Sequence, residues 1–97
     1  MRCEIYQIKD IKKCTYAFCS WDTAKKNGFS MDDYTKVYEC ELNYTRDDDE
    51  LILERLFSKF NNNPPKDYKA HSMSSSDIVK LRDTFYYCDV VGWQKLN

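Results

Sequence analysis

Residues 47–61 read "DDDELILERLFSKFN". Leu53, Leu56, Phe57 and Phe60 recur at i, i+3, i+4 and i+7, one face of an α-helix, and Leu51 and Ile52 widen that face. Asp47 and Glu50 stand three apart, as in a variant capping box. Asp47, Asp48, Asp49 and Glu50 all fall where the helix dipole favours negative charge. "NNNPP" at 61–65 stops the helix, because proline brings no N–H to continue it and Pro64 also restricts Asn63.

A helix with one apolar face must cover something, and the flanking sequence supplies a sheet. On the C-terminal side, "SDIVKL" (76–81) reads as a short strand, "LRDTF" as a tight connection and "FYYCDVVGW" (85–93) as a long final strand. On the N-terminal side, "DDYTKVYECELNY" (32–44) places Tyr38, Cys40 and Leu42 between Glu39 and Glu41, a strand with one wet face. "CEIYQIK" (3–9) sets Cys3, Ile5 and Gln7 against Tyr6 and Ile8, another strand. Between them, "CTYAFCSW" (14–21) is ambiguous between strand and irregular packing. Asp22 is placed to cap a short helix that Asn27 and Gly28 end. The expected fold is α+β: one domain spanning 1–97, with a small mixed or antiparallel sheet. The helix at about 47–61 covers one face of that sheet, and a β-hairpin closes the C-terminus.

Composition agrees: 42% hydrophobic and 32% charged residues suit a folded domain rather than a disordered chain. Aromatics reach 15%, and the eight tyrosines fit a thin core in which the ring is buried and the hydroxyl stays wet. The five cysteines, Cys3, Cys14, Cys19, Cys40 and Cys88, show no C-x-x-C spacing. The N-terminus lacks a signal-peptide core and no run of about 18 apolar residues exists, so the expectation is a cytoplasmic protein with reduced thiols. Cys14, Cys19 and His71 lack zinc-knuckle spacing, and with only two glycines there is no phosphate cradle; no metal and no cofactor are expected.

The net charge of −1 is unevenly spread. Residues 30–54 carry nine acids against two bases, while 1–29 and 55–97 each carry a small basic excess. This acidic centre would repel nucleic acid and attract a basic protein surface, which makes Asp32, Asp33, Asp47, Asp48, Asp49 and Glu50 candidate protein-binding residues. Lys9, Lys12, Lys13, Lys25 and Lys26 near Tyr6, Tyr16, Phe18 and Trp21 would suit a stacking nucleic-acid patch. A pI of about 5.8 argues against it.

The chain's single histidine, His71, is followed by Ser72, Ser74, Ser75, Ser76 and Asp77. A hydrolase triad assembles from separated parts of a fold and needs an oxyanion hole; these residues are consecutive and lack a G-x-S-x-G elbow. Short polar side chains here satisfy the backbone of a turn and launch the next strand. His71, Ser74, Ser76 and Asp77 are therefore candidates for a binding loop, not a catalytic set, with His71 the one residue that a nuclease reading would use as acid or base.

The block "LERLFSKFNNNPPKDYKAHSMSSSDIVKL" followed by "FYYCDVVGWQKL" resembles the YodL-like domain family, and "IYQI", "YAF" and "DDYTKVYECEL" extend the resemblance over about residues 3–96. Tyr87, Asp89 and Gly92 match its pattern; Ala70, Ser75 and Trp93 depart from it, and Ala70 stands where the family has a glycine before the histidine. The resemblance implies a small protein or module frequent on mobile elements of Gram-positive bacteria, without an established catalytic mechanism. By analogy with other very small proteins of such elements, it implies an inhibitor of a host defence complex. That would be an anti-CRISPR protein that binds a Cas9-type effector, or blocks its guide or target loading, in the bacterial cytosol. The alternatives are a small ribonuclease acting on the guide RNA, and a regulatory module that binds an unrelated host protein. The expected partner is a protein rather than a membrane. Direct RNA contact is the weaker reading, and pairing of a strand at 85–91 with a second copy is a route to a homodimer.

Overall fold

A computed structural model of the chain describes residues 1–43 and 48–96. The element order is β1 (Arg2–Ile8), α1 (Trp21–Lys26), a 3₁₀ turn (Met31–Asp33), β2 (Tyr34–Glu41), α2 (Asp49–Asn62), β3 (Ile78–Leu81), β4 (Thr84–Cys88) and β5 (Trp93–Leu96). The strands form one sheet in the order β2-β1-β3-β4-β5, and every neighbouring pair is antiparallel. The fold is α+β with an antiparallel sheet.

Strand alternation sorts the core into two layers. On one face Cys3 and Ile5 of β1 and Val79 and Leu81 of β3 meet Ile52, Leu53, Leu56 and Phe60 of α2. The periodic stripe in the helix therefore faces the sheet as expected, but Leu51 does not join it: the residue is 43% exposed. On the other face Ile8, Ile78 and Tyr87 are covered by Tyr16, Ala24 and Tyr34, with Trp21 and Phe29 packed against them. Residues 14–20 are thus irregular packing against the second face rather than a strand, and Trp21 opens α1.

The tyrosine hydroxyls in this layer are not wet. Tyr16 donates to Asp33 Oδ2 at 2.6 Å, Tyr34 to the Ser76 carbonyl at 2.6 Å and Tyr87 to the Cys19 carbonyl at 2.8 Å. Buried phenols take protein acceptors in place of water, so each ties a loop to the sheet.

Helix ends depart from the sequence expectation by small steps. α1 is capped by Ser20, whose side chain accepts from Thr23 N, and Asp22 lies in its first turn instead. α2 is capped by Asp48, whose Oδ1 accepts from Leu51 N at 2.9 Å; Asp47, the expected cap, lies outside the described residues. Asp48→Ala should lower stability by about 1 kcal/mol in urea unfolding, the usual worth of such a cap. Glu50→Gln, which touches no cap bond and removes only a first-turn charge, serves as the comparison and should lower stability by about 0.5 kcal/mol or less.

The long final strand expected over 85–93 is instead two strands joined by a turn at Asp89–Gly92. Asp89 Oδ1 accepts from Val90 N at 2.8 Å and from Trp21 N at 3.1 Å, and Gly92 takes φ +70°. A side-chain acceptor and a left-handed glycine bend the chain where β-branched valines alone would have extended it. β4 is consequently an interior strand; the edges are β2 and β5.

Candidate functional site

The segment after α2 is held by the helix itself. Asn61 Nδ2 donates to Met73 O at 3.0 Å, and Asn61 Oδ1 accepts from Met73 N at 2.7 Å. This two-way clamp delivers residues 74–77 to the sheet. Asp77, 2% exposed, accepts at one carboxylate oxygen from Ser74 N at 3.0 Å and from Gln7 Nε2 at 3.1 Å. Gln7, buried on β1, also donates to the His71 carbonyl at 3.0 Å, and Tyr68 OH donates to the same carbonyl at 2.7 Å. Burial pushes the Asp77 carboxyl up to about 6, against the lowering effects of the Ser74 and Gln7 donors and of His71 nearby.

Ser76 takes φ +80° and uses every polar group structurally. Its N–H donates to Cys88 O, its carbonyl accepts from Tyr34, and its Oγ accepts from Phe18 N at 2.9 Å. The left-handed residue of the segment is Ser76, not Ala70. His71 is exposed, and its Nδ1 lies 2.7 Å from the neighbouring Ser72 carbonyl. Among the described contacts none joins the imidazole to a serine hydroxyl, so His71, Ser74, Ser76 and Asp77 share one corner without forming a nucleophile–base pair. The corner ties β1, β3, β4, α2 and the 14–19 loop together.

The acidic candidates are not one surface. Asp32 and Asp33 precede β2 and Asp48, Asp49 and Glu50 follow it, and an eight-residue strand sets its ends about 25 Å apart. Asp33 holds Tyr16. Asp49 is paired with Arg82 and accepts from Tyr86; burial alone would raise its carboxyl, but these two donors outweigh it and hold it below the usual range. Glu39 and Glu41 are tied to Arg2, and Lys36 joins Glu4 and Glu39. Asp32, Asp48 and Glu50 are exposed.

A different locus combines exposed apolar groups with a carboxylate. The turn between β4 and β5 presents Val90, 63% exposed, and Val91, 87% exposed. Beside it a groove of about 180 Å³ runs between α2 and the turn, lined by Glu54 and Phe57 from the helix and by Cys88, Asp89, Val90, Gly92 and Trp93. Phe57 and Trp93, both in the lining, meet edge to face with centroids 6.5 Å apart. Burial pushes the Cys88 thiol up to about 12, so it lines the groove as a neutral group rather than a nucleophile. At the same end of the sheet Phe18 holds φ +64° and remains 51% exposed, its N–H fixed by Ser76.

Sequence reasoning missed this turn because "DVVGW" reads as strand. It also passed over Gln7, Asn61 and Tyr68. Gln7 carried a signal: a polar residue at an inward position of an alternating strand needs a buried partner.

The YodL-like domain profile matches residues 2–97. An uncharacterised protein of Acanthamoeba polyphaga mimivirus is 40% identical over 81 residues, covering 71% of this chain and 74% of its own length. The uncharacterised protein YodL of Bacillus subtilis (strain 168) is 32% identical over 96 residues, 89% of this chain and 86% of its own. No solved structure matches.

Proposed function

This chain belongs to the YodL-like domain family, and we propose that it works as a non-enzymatic interaction protein that binds a protein partner through the Val90–Val91 turn and the groove beside it. The observation that supports this reading is the exposure of two adjacent valines at a turn. Turns favour Gly, Asn, Asp and Pro, and valine is a strand former; here it is held outward by Asp89 and Gly92. Scattered exposed hydrophobics are ordinary, but an adjacent apolar pair beside a groove lined by aromatics suits the reception of a partner's side chain.

Glu54 at the groove and Glu50 one turn before it on α2 give the surface an acidic rim. The partner surface is accordingly apolar with a basic border. A protein that handles nucleic acid offers such a surface, and the specific reading is an inhibitor carried by a mobile element. It acts in the cytoplasm of the bacterial host on a defence complex, with an RNA-guided effector of the Cas9 type as its target. Among the described residues no helix is long and apolar enough to cross a membrane.

Affinity capture of the tagged chain from cells producing such an effector and its guide, with and without ribonuclease before elution, tests the proposal. An effector retained after ribonuclease supports direct protein binding. Loss of the effector, or recovery of shortened guide, would turn the reading toward RNA, and capture of an unrelated host protein alone would discard the defence target. With the partner in hand, the Glu50→Lys/Glu54→Lys variant should bind about tenfold more weakly and with a shallower salt dependence. Reversing Asp48 and Asp49 would be uninformative, since it removes the cap of α2 and the partner of Arg82.

A further inference from the structure

Cys3 and Cys40 are directly opposite each other in the β1–β2 ladder. The end of the ladder shows what kind of pair they make. Met1 N donates to Leu42 O at 2.6 Å and Leu42 N donates to Met1 O at 2.8 Å, so these two residues exchange both backbone bonds. Antiparallel pairs alternate, which makes Arg2–Glu41 a non-hydrogen-bonded pair and Cys3–Cys40 a hydrogen-bonded one. The Cα atoms of such a pair lie about 5.5 Å apart, within the roughly 4.4–6.8 Å that a disulfide spans.

Both side chains project toward α2. Cys3 is 1% exposed in the core, and Cys40 is half-buried against the same cluster. They are near enough to alter each other's titration, although burial is the main reason both thiols are pushed up. All five cysteines are free thiols here, and the ladder register sets no other two opposite one another.

We propose that Cys3 and Cys40 are a modification site: a thiol pair that closes to a reversible cross-strand disulfide on meeting a disulfide oxidant of the glutathione class. Cys40, the more accessible, loses its proton and attacks one sulfur of glutathione disulfide. The S–S bond breaks, glutathione thiolate leaves, and a mixed disulfide remains on Cys40. Cys3, deprotonated in turn, attacks the Cys40 sulfur and expels the second glutathione. The protein gives up two electrons and two protons, and the oxidant becomes two glutathione thiols. High thiol pKa values make the first step slow at neutral pH and faster at alkaline pH. Side chains of a hydrogen-bonded pair stand farther apart than those of a non-hydrogen-bonded pair, so the bond is strained and easily reduced. Closed, it fastens the edge strand β2 to β1.

The test incubates the full chain at pH 8 with defined ratios of glutathione to glutathione disulfide, quenches with acid and digests with trypsin without reduction. The expected product is residues 3–9 joined to residues 37–46, the fragments bounded by Arg2, Lys9, Lys36 and Arg46. Two free thiols should be lost per monomer, and both should return on adding excess glutathione. Cys40→Ser, at a half-buried position, should fold and should form no replacement link. Oxidation that stops at glutathione on Cys40 would overturn the proposal. So would links dominated by Cys14, Cys19 or Cys88, or loss of two thiols from Cys40→Ser.

Discussion

Replacing Val90 and Val91 together by Asp is expected to abolish capture of the partner while leaving the fold intact. Both side chains are mostly in water in the free protein. Removing their methyl groups therefore costs the folded state little, within about 0.5 kcal/mol for surface positions. Asp is also a better turn residue than valine, and the bonds that shape the turn come from Asp89 and Gly92, which remain. In a complex the balance reverses. Burying a valine is worth about 1.5–3 kcal/mol, and two valines together hold a factor of about 100 or more in affinity. Two carboxylates in place of the valines would add desolvation cost at the apolar centre of the interface. The measurement pairs thermal unfolding with titration against the captured partner. An unchanged melting temperature with binding weakened at least a hundredfold is the expected result. Equal binding by variant and parent would remove this turn from the interface and with it the proposed function's main support.

α2 was legible in the sequence because its apolar stripe has a period and its start carries acids, two signals that agree. The sheet was legible through alternation in β1 and β2, while the choice between a mixed and an antiparallel one came from the strand pairing. What failed was local chemistry that depends on distant partners. The turn at 89–92 is shaped locally, but it is also tied to the rest of the fold by Asp89 accepting from Trp21 N, 68 positions away, and no window of sequence contains both. Asp48 and Asp49 look alike in "DDDE", yet one caps α2 and the other meets Arg82 and Tyr86. The acidic block therefore read as one field source, whereas the fold divides it between the two ends of β2 and neutralises part of it. The histidine–serine stretch was read correctly as a corner. Its range was underestimated: the expectation was bonds within the turn, and the structure adds Gln7, Phe18, Tyr34 and Cys88 from four other parts of the chain.

That corner yields the second large effect, through Asp77. Its folded-state pKa of about 6 lies above the ordinary carboxylate value of 3.8, because burial disfavours the charge. Between pH 4 and 6 the folded chain thus holds a proton that the unfolded chain has released. Stability then falls as pH rises through that window, by up to about 3 kcal/mol. Asp49 and Glu4 act in the opposite sense. Each has a lowered folded-state pKa, so the stability it contributes is present above its unfolded value and is lost toward low pH. A pH profile of the parent alone mixes these trends, so the informative quantity is the difference from Asp77→Asn. That variant keeps an oxygen to accept from Ser74 N and Gln7 Nε2, carries no charge, and leaves Asp49 and Glu4 unchanged. Its stability relative to the parent should climb by about 2–3 kcal/mol from pH 4 to pH 7 in urea unfolding. Asp77→Ala removes the acceptor as well and strands two buried donors. It should be less stable than Asp77→Asn by about 2–4 kcal/mol, with the gap the same at every pH. A flat difference between parent and Asp77→Asn across that range would mean that Asp77 is ionised in the corner without penalty. The hydrogen bonds from Ser74 and Gln7 would then outweigh its burial.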